Sequence, residues 1–185
     1  MKRVLLFAGC ALLLAAASVP ARADQNAPEL DALFETLQGE LEAAEAARVT
    51  QRIWDAWIAH DDAAVRALMD AGLHDMRAGR LRAALARFDA MVDLAPDFAE
   101  AWNKRATVHY LLGDFAASAA DVVETLRLEP RHFGALVGQG LMHMRVRDTA
   151  QALIYFRRGL AVNPHMDNVR GYIELLAEAE QGNPI

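Results

Sequence analysis

The sequence predicts an all-α fold, a superhelix of stacked antiparallel helix pairs closed by one further helix. Three observations carry that expectation. Pro96, Pro130 and Pro164 recur at a spacing of 34 residues, twice over. Sliding the chain by that period aligns small residues (Gly72, Ala106 and Gly140; then Ala84, Ser118 and Ala152) and bulky ones (Phe88, Val122 and Phe156). Within each period, apolar residues return at helical spacing on either side of a turn signal.

The middle copy shows the logic most plainly. Trp102, Ala106, Val108 and Tyr110–Leu112 mark one helix, Gly113-Asp114 punctuates, and Phe115 to Leu128 forms a second helix ended by Glu129-Pro130. Proline lacks an N–H and disfavours helix in the residue before it, so it ends one unit and frees the next to start. Two helices approach to about 8–10 Å only where one presents Gly, Ala or Ser at the crossing. Phe88, Val122 and Phe156 fill the space opposite. A single pair cannot bury its own apolar face, so neighbouring pairs must stack.

A 34-residue period with large, small, small, large and proline in this order resembles the tetratricopeptide repeat. The resemblance implies a right-handed α-α superhelix with units at residues 65–98, 99–132 and 133–166.

At the start of the chain, Lys2-Arg3, the apolar run Val4–Val19 and Ala21-Arg22-Ala23 read as a secretory leader cleaved after Ala23. The expected location is therefore the periplasm, with no stable membrane span after cleavage. An uncleaved anchor and a lipid anchor at Cys10 are the alternatives; sixteen apolar residues fall short of the about 20 that a span needs. Cys10 is the only cysteine, so the mature chain has no disulfide and depends on packing.

Residues 24–64 read as a degenerate helix pair capping the first unit. Carrying the register backward puts Phe34 in the column of Leu68 and Trp102, and Trp54 under Phe88. The pattern departs at Gln38, where the crossing wants a small residue, at Glu45-Ala46 in place of the turn, and at Asp62 in the proline column. Asp61 and Asp62 suit the N-cap of the following helix. At the other end, residues 167–182 form an amphipathic closing helix with Val169, Tyr172, Ile173 and Leu176 on one face, stopped by Gln181-Gly182-Asn183-Pro184.

Charge narrows the function. Without Lys2, Arg3 and Arg22 the chain has 16 basic residues against 25 acidic, a net of −9, which argues against nucleic-acid binding. The acid is concentrated in residues 24–64, with ten acidic and two basic residues, whereas residues 133–166 hold one acidic and four basic. Opposite charge of this kind steers a partner or the two ends of one chain.

No catalytic residues, cofactor site or metal site are expected. The mature chain holds one serine, Ser118, in the small crossing column, and one lysine, Lys104. His109 and His143 share a column with Asp75, but neighbouring units sit about 10 Å apart, while zinc needs ligands within about 2.0–2.3 Å.

The resemblance implies instead that the first helix of each pair lines a concave groove for a protein or peptide partner. Carried over by column, the lining is Met69, Leu73, Met76 and Arg77; Asn103, Thr107, Tyr110 and Leu111; and Val137, Leu141, Met144 and Arg145. The family variety that clamps a C-terminal carboxylate uses columns that here hold Met69, Leu73, Lys104, Gly134 and Gly138, of which only Lys104 suits. That specificity is not expected. The alternative is a structural subunit or homo-oligomer acting through its convex or terminal surfaces, its groove filled by the N-terminal helices or a second copy.

Overall fold

The computed structural model describes Gln25 and residues 27–180. The expected leader, and the residues expected to stop the last helix, lie outside the described residues.

Among the described residues there are nine α-helices: α1 (Pro28–Leu37), α2 (Ala43–Ile58), α3 (Ala63–Arg77), α4 (Leu81–Leu94), α5 (Ala99–Leu112), α6 (Phe115–Leu128), α7 (Phe133–Arg145), α8 (Thr149–Val162) and α9 (Asp167–Glu180). Three antiparallel pairs, α3/α4, α5/α6 and α7/α8, stack through α4 on α5 and α6 on α7, and α9 closes the array on α8. The expected all-α solenoid is the fold observed.

Each boundary has a local cause. Ala95, Glu129 and Asn163 precede the three prolines in extended backbone, with φ of −135°, −135° and −125°, as the proline ring requires of the residue before it. Asp62, Asp114 and Asp148 accept from the backbone N–H groups of Ala64, Ala117 and Gln151, capping α3, α6 and α8. The turn inside each pair is closed by the same bond, from the N–H of Arg80, Asp114 or Asp148 to the carbonyl of Asp75, His109 or His143, each 2.9 Å. The residue before that donor has positive φ: Gly79 at 70°, Gly113 at 85° and, in the third pair, Arg147 at 59°. Glycine adopts this conformation freely and arginine does not.

The crossing columns meet as the sequence predicts. A Cβ placed on Gly72 would lie 2.5 Å from the Phe88 ring. In α6, Ser118 is buried and donates its hydroxyl to the Ala106 carbonyl at 2.8 Å, so it is a satisfied packing residue.

The N-terminal pair departs from expectation. Instead of stacking ahead of the first unit, α1 and α2 run across the proline-bearing loops of all three. Gln25 donates to the Asp97 carbonyl at the first loop. Asp31 pairs with Arg131 at the second, 2.6 Å apart. At the third, Gln38 donates to the carbonyl of Val162 and Asn163 donates to Thr50. Trp54 therefore does not lie under Phe88; its ring packs edge-on against His132 and Phe133. The physical reason lies in the departures from the pattern. Gln38 leaves no small surface for a crossing partner, while its long amide reaches loop carbonyls. The two tryptophans pack among His132 and Phe133, with Trp57 buried.

Candidate functional site

The groove expected on the first helices splits into a covered half and an open half. The covered half lies at the N-terminal ends of α5 and α7. There α2 lays Trp54 against α7 so closely that a Cβ on Gly134 would be 2.6 Å from the indole. Trp54 also sits over Lys104, whose Nζ is 5.3 Å from the ring centroid. Trp57 stacks on His132 with centroids 4.2 Å apart and planes 9° from parallel.

Under this aromatic layer is a buried polar network. Glu100 is 1% exposed and His132 is fully buried. The Glu100 carboxylate pairs with Lys104 at 2.6 Å, and it accepts from Asn103 at 2.9 Å and from His132 Nε2 at 2.8 Å. His132 Nδ1 accepts from the Ala135 N–H and so caps α7. Accepting at Nδ1 leaves the proton on Nε2 for Glu100, which fixes the tautomer. Burial by itself would raise the Glu100 carboxyl, but the Lys104 charge and the His132 and Lys104 hydrogen bonds override it and hold it at about 2. Glu100 is thus a carboxylate locked among neighbours, and Lys104 is spent on it. Of the clamp columns, Lys104 is held by Glu100 and Gly134 is covered by Trp54.

The open half lies further along α5 and α7. A cleft of about 200 Å³ runs between them, with Asn103, Thr107 and Tyr110 on one wall and Val137, Gly138 and Leu141 on the other. Ala106 and Val122 form its floor. At its end Arg145 lies over the Phe115 ring at 4.8 Å and near Tyr110 at 5.9 Å.

The structure therefore gathers part of the expected lining and disperses the rest. Asn103, Thr107, Tyr110, Val137 and Leu141 share the cleft, and Leu111 and Arg145 are exposed at its end. Met144 is half-buried against the cluster of Ala152, Phe156 and Val169. In the first unit Arg77 is exposed, while Leu73 and Met76 pack against the core and Met69 is 2% exposed. Met69 belongs to the core with Val65 and Phe88 and does not line the cleft between α5 and α7.

Asp75, His109 and His143 stay within their own pairs. Asp75 binds Arg80 at 2.7 Å, His109 faces Asp114 and Asp121, and His143 faces Asp148 and stacks on Tyr155. Among the described residues no three His, Cys, Asp or Glu side chains converge on a point where a metal could sit, and no helix is long and apolar enough to cross a membrane.

Sequence reasoning missed the part played by α2 and the Glu100–His132 pair. A signal existed for the first: Gly134 stands where the second unit has Glu100, and Trp54 and Trp57, three residues apart, share one face of α2.

Comparison with known proteins agrees with this architecture. A family model described as "Tetratricopeptide repeat" matches residues 69–127 and 112–168. A TPR repeat-containing protein of Rhizobium etli is 32% identical over 154 residues, covering 83% of this chain and 76% of that protein. A bovine "Protein SGT1 homolog" is 29% identical over 102 residues, 55% of this chain and 30% of its own length. Among solved structures, the first TPR of Spaghetti (RPAP3) bound to the HSP90 peptide SRMEEVD superposes with a TM-score of 0.62 at 17% identity, over 65% of this chain and 96% of that one. MamA superposes with a TM-score of 0.60 at 18% identity, over 72% and 76%. At such identities the structural likeness is one of fold.

Proposed function

The chain belongs to the tetratricopeptide-repeat family, and from that premise we propose that it is a non-catalytic bacterial scaffold that docks a protein or peptide segment in the open half of its groove. One observation carries the reading: the apolar cleft between α5 and α7 is left uncovered while α2 fills the other half of the same face. A cleft of apolar walls with a few polar groups is the form a binding site takes. The peptide held by the similar RPAP3 domain supports a segment rather than a small molecule as the occupant. The leader pattern adds export to the periplasm, which fractionation of cells carrying the tagged full chain tests.

The test of docking is recovery of partner by the full chain and by two groove variants. Thr107→Arg and Tyr110→Ala should lose it, whereas Val123→Arg, on α6 outside the groove and 60% exposed, should not. Unchanged recovery by both groove variants, with melting temperatures preserved, removes the groove assignment.

A second reading rests on the outer helices. Val123 of α6 and Ile154 of α8 are exposed apolar residues, and self-association through them would make the chain a subunit of a homo-oligomer. A monomeric mass at every concentration in sedimentation removes that reading.

A further inference from the structure

The cleft between α5 and α7 exists because the second unit is small where the first is large. At the α3–α5 junction, Met69, Leu73 and Phe88 fill the space between units. One period on, the same columns hold Asn103, Thr107 and Val122. Facing them, the columns of Glu100 and Lys104 hold Gly134 and Gly138. Gly134 admits the Trp54 indole. Gly138 admits nothing: a Cβ built there meets no atom within 4 Å. It lies in the middle of α7, where glycine weakens a helix relative to alanine, and it faces open space that a larger side chain would fill.

The cleft also has a charged end. Arg145 is exposed and lies beside Tyr110 of the cleft wall. Among the described residues no carboxylate lies within ion-pair distance of Arg77, Arg145 or Arg147. The acids of this edge, Asp114 and Asp148, cap α6 and α8 and face His109 and His143. At the opposite end the cleft is shut by Trp54. An apolar cavity of about 150 Å³ holds a benzene ring, and this one is about 200 Å³.

Building on the groove reading above, we propose that the cleft is a socket for one apolar side chain of leucine, methionine or phenylalanine size, carried by a partner segment whose adjacent residues are acidic. The side chain enters between Thr107 and Gly138, and the carboxylates meet Arg145. An arginine at the rim without a carboxylate partner favours acidic over basic segments and makes the association sensitive to salt.

Selection of random peptides displayed against the full chain tests this, followed by anisotropy titration of the enriched peptides. Enriched sequences should share one Leu, Met or Phe with Asp or Glu beside it. Gly138→Leu, which fills the socket, should weaken them by about tenfold or more without lowering the melting temperature, and Gly138→Ala should weaken them less. Arg145→Ala should flatten the salt dependence. Enriched peptides that are basic or lack an apolar residue overturn the proposal. So do peptides that bind Gly138→Leu and Gly138→Ala as tightly as wild type; if these still lose affinity on Thr107→Arg, groove docking survives and only the socket falls. Peptides indifferent to Thr107→Arg as well, or no enrichment at all, count against the groove itself.

Discussion

The Phe156 ring occupies the space beside Gly140 so fully that a Cβ added to the glycine would lie 2.5 Å from it. Gly72 and Phe88 stand in the same relation. In the second unit both partners change together: Ala106 takes the glycine position and Val122 the phenylalanine position. The phenylalanine position gives up more volume than the methyl group the glycine position gains, and Ala106 and Val122 line the cleft between α5 and α7. This compensation keeps the two helices of each pair close at their crossing.

Gly140→Ala should therefore destabilise despite its better helix propensity, by about 1–3 kcal/mol of overpacking. Adding Phe156→Val, which recreates the pair of the second unit, should recover part of that loss. Denaturant unfolding of the two single variants and the double variant should give a favourable coupling of about 0.5–3 kcal/mol. Additive effects would mean the two residues do not share the crossing.

Arg147 holds a φ of 59° at the position where the other two units place Gly79 and Gly113. A side chain in this region costs about 1–2 kcal/mol. Arg147→Gly should accordingly stabilise by about 1 kcal/mol, read as a raised unfolding midpoint with an unchanged denaturant slope.

Glu100 gives the chain an acid-sensitive core. Its carboxyl is held at about 2 in the folded state against an ordinary 4.5. A lowered folded pKa contributes stability that is fully present above 4.5 and is lost as pH falls toward 2. Glu100→Gln should cost about 3–5 kcal/mol at neutral pH, because it leaves Lys104 without its buried partner. The stability gap between wild type and variant should be constant above 4.5 and narrow below it. A gap that stays constant to pH 2 would contradict the assigned network.

Much of the repeat array was legible because its signals are local. Proline fixes the residue before it, aspartate caps the next helix, and the paired columns at positions such as 72 and 88 recur at a fixed period. The N-terminal pair was not legible in the same way. Its placement depends on Trp57 meeting His132, residues 75 positions apart, and on Gln38 reaching the Val162 carbonyl. Neither contact leaves a periodic trace. The groove was half legible for the same reason: columns predict which residues face it, but only the fold shows that Trp54 closes one end and that Met69 sinks into the core.

Trp57 is 1% exposed and stacks on His132. Trp57→Ala should cost about 3–5 kcal/mol and loosen α1 and α2 from the loops they cross. Amide exchange should accelerate in both helices while α7 and α8 keep their protection. Uniform acceleration through the whole array would mean that the pair is integral to the solenoid rather than strapped across it.

The central claim is that a partner segment lies between α5 and α7. A photo-reactive residue placed at the exposed Thr107 of the full chain, and separately at Val123 on α6, tests it in living cells. Irradiation should give a discrete crosslinked species from position 107 and none from position 123. Crosslinking from position 123 with none from 107 would contradict docking in the groove.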